Sequence, residues 1–294
     1  GVIVDWSFPT IAYVYEGSTS EDLDFGNSQS SFVISWSLAS GGESLLSYEY
    51  ALGSTASEAD IVGWTDIGTD TVVTVTGLSL EEGYTYFGSV RAYNTDGNVS
   101  PTYSGDGLTI DITPPIVGTI IDGDTADIDY TASSTNLSAT WSGFSDNLSG
   151  ISHYEYTIGT TEGDSNVVSW TGTGMDSLII LEDLDLQDAA TYYASVRAYD
   201  LAGNQSPALT TDGVTADLSP PVVGFVIDGT ISDEDFTSSL NTLIATWSEF
   251  LDTLSGIQFY EYAVGTSPGT TDIKEWTPTG LDTSVTDASF TLVD

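Results

Sequence analysis

Cysteine is absent from the 294-residue chain, and Lys and Arg together number 3 against 44 Asp and Glu, a formal charge of -41. A field of that sign repels nucleic acid and anionic lipid, so nucleic-acid binding is excluded and the folded state leans on cations or salt for relief from self-repulsion. The single histidine, His153, and the lack of Cys leave nothing from which to build a catalytic triad or a His/Cys zinc site. No Gly-rich phosphate loop occurs, and no stretch spells the EF-hand loop. Paired carboxylates for glycoside hydrolysis need a cleft. No apolar run approaches the roughly 18 residues of a membrane span, so the chain is not expected to cross a membrane. Absent cysteine does not decide the compartment, because disulfides serve mainly domains too small for a core.

What the chain does have is a period. Gly53, Gly159 and Gly265 stand 106 residues apart, as do Trp64, Trp170 and Trp276, and the same step links Arg91 to Arg197 and Asp5 to Asp111 to Asp217. A repeat of that length is domain-sized, so the chain reads as an array. Hydrophobic residues at 40% are enough to bury cores despite the charge. The expected layout is the last strand of a preceding repeat at 1–5 and sandwich repeats at 6–111, 112–217 and 218–294. The last lacks counterparts of Ala189 to Asp212. That layout reads as a window on a longer chain; the alternative is completion of the open third unit by a partner's strand.

Locally the signal is β throughout. Phe32 to Trp36, Leu137 to Trp141, His153 to Ile158 and Tyr192 to Tyr199 are short, alternating and rich in β-branched or aromatic residues, with Gly, Asn, Asp, Ser and Pro between them. About seven such strands per repeat predict an all-β fold of tandem Greek-key sandwiches. Alternation puts Tyr192, Ala194, Val196 and Ala198 on the core face of one strand and Arg197 on the other face. Tyr154 and Tyr156 face in on the neighbouring strand, with Glu155 out. Cross-strand pairs Arg197 with Glu155 and Arg91 with Glu49 follow, with Trp170 as a stacking partner for Arg197.

The repeats resemble fibronectin type III domains. The resemblance rests on Trp36, Trp141 and Trp247, on Tyr-Glu-Tyr from Tyr48, Tyr154 and Tyr260, and on Leu80, Gly83, Tyr86, Val90 and Ala92. The last set recurs as Leu186, Tyr192, Val196 and Ala198, with Ala189 in place of the Gly. It implies a tyrosine corner at Tyr86 and Tyr192. An Asp-x-x-Pro-Pro joint, Asp111 to Pro115 and Asp217 to Pro221, would open each unit; the first unit has Phe8-Pro9 instead. The wording is similar to long repetitive bacterial surface proteins, which implies an extracellular or cell-surface setting.

Chain direction in such a sandwich brings acidic loops together at the joints. Asp111, Asp146, Asp200 and Asn204 would meet Glu21, Asp22 and Asp24 at one joint. Asp217 and Asp252 would meet Asp122, Asp124, Asp127 and Asp129 at the next, and Asp5, Asp96 and Asn98 would serve the first. Oxygen donors in that number suit Ca²⁺. The competing reading is that Asp and Asn here simply make turns. The function expected is a structural or adhesive stalk or filament segment, not an enzyme. Its partners would be neighbouring repeats, like subunits in a filament, or a surface receptor or glycan. One alternative is a spacer or weak glycan-binding array of a secreted polysaccharide-active enzyme, using Trp64, Trp170 and Trp276. Another is a self-assembling sheath. A solvent-facing row of Trp would favour glycan; Trp folded against the sheet would favour a stalk.

Overall fold

The computed structural model describes residues 7–40 and 44–289; the expectations placed on Gly1 to Asp5 lie outside them. Every regular element among the described residues is a strand. No helix there is long and apolar enough to cross a membrane.

The strands fall into sets that repeat with the sequence period. In the first, Val14–Glu16, Ser31–Trp36 and Val72–Thr76 form one antiparallel sheet in that order. A second sheet runs Phe25–Gly26, Leu108–Ile110, Thr85–Asn94, Leu45–Gly53, Val62–Gly68. The chain crosses between the sheets from Ser31–Trp36 to Leu45–Gly53, back at Val72–Thr76 and again to Thr85–Asn94, which is Greek-key connectivity. The two-residue strand Phe25–Gly26 adds to Leu108–Ile110 in parallel. The second set copies this order: Thr119–Asp122, Leu137–Ser142, Leu178–Leu181, then Tyr130–Thr131, Val214–Ala216, Thr191–Asp200, Ile151–Gly159, Val168–Gly174. The third has Phe225–Asp228, Leu243–Ser248 and Ser284–Asp287 in one sheet and the pair Tyr260–Val264, Lys274–Gly280 in another. The fold is all-β, of fibronectin type III-like sandwiches.

The chain divides into two compact units. The first runs to Asp127 and takes in Ser138–Ile179 and Tyr193–Asp212; the second holds Ile128–Leu137, Ile180–Tyr192 and the chain from Gly213 onward.

Alternation explains the core. Phe32, Ile34 and Trp36 point inward with Tyr48, Leu52, Tyr86, Val90 and Ala92, and all are buried. The strand Thr191–Asp200 buries Tyr192, Ala194, Val196 and Ala198 as its period-2 pattern requires. Ser195, on the opposite face, is buried as well because Leu209–Thr210 pairs across it and Thr210 Oγ1 lies 2.8 Å from its hydroxyl. At each chain corner a tyrosine ties the backbone: the Glu81 N–H donates to Tyr86 Oη at 2.9 Å and the Gln187 N–H to Tyr192 Oη at 2.8 Å. In the third set a cleft of about 1370 Å³ lies beside Tyr260 and Tyr262. Their period mates Tyr154 and Tyr156 face the strand Thr191–Asp200.

Candidate functional site

Asp111 belongs to two sandwiches at once. Its N–H donates to the Gly26 carbonyl at 2.9 Å, extending the parallel addition of the first set. Its carboxylate turns to the second set, where Oδ2 accepts from the Ser149 N–H at 3.1 Å, and its carbonyl accepts from Asn204 Nδ2 at 2.8 Å. Oδ1 accepts from Thr113 N–H at 3.1 Å, bracing the chain just before Pro114-Pro115. Asp111 is fully buried, so each of these bonds forms with little competition from water. The arrangement recurs at Asp217. The Asp217 N–H donates to Thr131, its Oδ2 accepts from Ser255 N–H at 3.1 Å, and Oδ1 from Ser219 N–H at 3.3 Å.

Around Asp111, Asp146 and Asp200 bring one carboxylate oxygen each to within 4.8 Å of the others. Asp146 Oδ1 accepts from the N–H groups of Leu148, Ser149 and Gly150 at 2.8–3.0 Å. Burial, the largest single influence, pushes the Asp146 carboxyl up; the bonds from Gly150, Leu148 and Ser149 together outweigh it and hold the group low. Asp252 repeats this turn with Leu254, Ser255 and Gly256. Asp200 is raised, by burial first and by the charges of Asp111 and Asp146 against the bonds from Asn204. Asp146 and Asp252 are therefore turn-makers, and the Asp111 cluster is a like-charge group with some repulsion left unrelieved.

Other expected members sit elsewhere. Asp22 turns back beneath the first strand and gathers with Glu16 and Asp106, and Asp122 gathers with Asp127 and Asp212. Asp24 contributes its backbone carbonyl to Thr109 N–H. Asp96 is exposed; the period mate of Asp200 is Asn94, which is fully buried. Asn94 and Asn98 direct their amides to the Ser7 carbonyl at 3.4 and 3.2 Å. Asp5 is outside the described residues.

Arg91 reaches Glu49 Oε2 with Nε at 2.7 Å and Nη2 at 2.6 Å, and Arg197 reaches Glu155 Oε2 at 2.9 and 2.6 Å. Each guanidinium lies over an indole: Arg91 is 4.2 Å from the Trp64 ring centroid and Arg197 is 4.1 Å from that of Trp170. Both rings are half-buried beneath their arginines, whereas Trp276 is 61% exposed. His153 stacks on Tyr199 at 4.6 Å.

No protein-family model matches the chain. Over 267 residues, 88% of its length, it is 27% identical to Exoglucanase B of Cellulomonas fimi, and it spans 22% of that protein. Among solved structures it is similar to the FN1-FN3 domains of chicken CNTN1, at 16% identity over 65% of each chain with a TM-score of 0.40. It is also similar to domains A168-A170 from titin, at 13% identity over 71% of this chain and 68% of that one, with a TM-score of 0.42. The fibronectin type III-like assignment rests on the sheet order and tyrosine corners described above.

Proposed function

We propose that this chain is a non-catalytic spacer segment of an extracellular protein. Its sandwich repeats, at 6–111, 112–217 and 218–294, would be joined through aspartate clamps at Asp111 and Asp217. The observation that carries this reading is Asp111 itself, whose N–H serves one sandwich while its carboxylate and carbonyl serve the next. Pro114-Pro115 fixes φ beside the clamp and removes donors, which favours an extended, semi-rigid link. Calcium at the Asp111, Asp146 and Asp200 cluster would relieve its remaining repulsion and stiffen the joint further. The covered faces of Trp64 and Trp170 support a spacer over a glycan-stacking row, because an indole occupied by a guanidinium is not free for a sugar ring.

A second reading, an accessory array within a secreted polysaccharide-active enzyme, is favoured by the likeness to Exoglucanase B and assigns the same spacer role. Small-angle scattering of the intact chain against Asp111→Ala tests the clamp. The variant should show a broader distribution of dimensions with each sandwich still folded; identical profiles would remove the basis for a stiffened joint. Retention on insoluble cellulose that is lost on Trp64→Ala with Trp170→Ala would replace the spacer with a glycan-binding role.

A further inference from the structure

Glu16 is fully buried in an acidic protein, and one of its oxygens has no protein partner. Oε1 accepts from the Gly88 N–H at 2.9 Å, while Oε2 is buried without a hydrogen bond. Oε2 lies against Gly105, where a Cβ would come within 1.9 Å of it, so it points at the segment that carries Asp106. One oxygen from each of Glu16, Asp22 and Asp106 lies within 4.8 Å of the others. The Glu16 N–H donates to Asp22 Oδ1 at 2.8 Å, which fixes the second carboxylate over the first.

The second sandwich separates the two duties that Glu16 combines. The period mate of Gly88 is Ala194, and its N–H is satisfied by the Thr211 hydroxyl at 3.0 Å, Thr211 being the period mate of Gly105. A neutral hydroxyl thus suffices for that donor, yet an acid persists at the mate of Glu16, Asp122. It gathers with Asp127 and Asp212, and its N–H donates to Asp127 Oδ1 at 3.0 Å. In the third sandwich the Asp228 N–H donates to Asp233 Oδ1 at 3.1 Å. The Gly88 N–H alone therefore does not explain why an acid stands at this place in both sandwiches.

We propose that Glu16, Asp22 and Asp106 form an oxygen site for a divalent cation of the Ca²⁺ class inside the first sandwich. Three carboxylates from three separate segments, adjustable in geometry, suit Ca²⁺ better than the strict octahedron of Mg²⁺. The cation would tie the first strand, the loop after it and the approach to the last strand, a role independent of the joints.

Calorimetric titration of the intact chain, stripped with chelator, with CaCl₂ or MgCl₂ tests this, alongside thermal unfolding in the same solutions. Asp22 and Asp106 are exposed, so Asp22→Asn with Asp106→Asn should fold. We expect it to weaken Ca²⁺ binding at one site at least tenfold and to shrink the Ca²⁺-dependent rise in Tm, while Asp146→Asn leaves that site intact. Glu16→Gln should lose the same site. An unchanged titration in the double variant, or a Tm rise reproduced in full by Mg²⁺ or NaCl, overturns the proposal. So does a Glu16→Gln protein whose Ca²⁺ response equals that of the parent, since Glu16 would then be only a buried acid.

Discussion

Lys274 and Asp287 illustrate how scarce cations are used in this chain. Lys274 Nζ sits 2.6 Å from Asp287 Oδ2, the Tyr262 hydroxyl donates to the same oxygen, and the Ser289 N–H donates to Oδ1. The bond from Lys274 above all, then those from Tyr262 and Ser289, hold the Asp287 carboxyl well below the usual carboxylate range. A depressed folded-state value means the stabilisation is present above the unfolded value near 4 and is lost as pH falls below it. Urea midpoints at pH 5 and pH 3 should therefore differ less for Asp287→Asn than for the parent; equal differences would show that the pair is not felt. Arg197 offers a second case. It combines a two-nitrogen contact to Glu155 with an indole beneath it, both with side chains about a quarter exposed or less. Arg197→Met should cost about 1–2 kcal/mol in denaturant unfolding, and Arg197→Lys most of that, since an ammonium lacks the planar fork.

Strands and turns carry their own constraints. Tyr192→Phe removes the acceptor of the Gln187 N–H without changing the packed ring, so it should cost about 1–2 kcal/mol by leaving a donor unpaired. Gly159→Ala places a Cβ 2.5 Å from the Asp164 carbonyl, and the mates Gly53 and Gly265 meet backbone oxygens at 2.5 and 2.2 Å. Because backbone cannot swing aside as a side chain does, Gly159→Ala should lower Tm by several degrees although the position lies in an ordinary strand. Much of this was legible in the chain: the period located the glycines, and alternation placed Arg197 opposite Glu155 and the tyrosines inward. The clustering of Glu16 with Asp106 was not, because it depends on a turn-back of Asp22 and on packing between segments 90 residues apart. Nor was the addition of Phe25–Gly26, since two residues carry no periodicity. Asp96, expected at the first joint, is exposed, while the period mate of Asp200 is the buried Asn94, two residues earlier, an equivalence that only the 106-residue step reveals.

At the scale of the whole chain, 44 acidic residues against 3 Lys and Arg dominate. Repulsion among exposed carboxylates falls as the screening length shortens from about 30 Å at 0.01 M salt to about 10 Å at 0.1 M. Scanning calorimetry in chelator should show Tm rising with NaCl over that range and then levelling; a flat response would mean that the charges are already neutralised locally. A further consequence lies in the core tryptophans. Trp36, Trp141 and Trp247 are buried at the same point of each sandwich, and each indole N–H lacks a hydrogen bond. An indole shut away from water and from any acceptor emits at shorter wavelength than a wetted one. Each sandwich therefore carries its own optical gauge: with Trp6, Trp64, Trp170 and Trp276 and two of the three core residues replaced by Phe, the opening of a single repeat could be watched by the red shift of the one remaining emission.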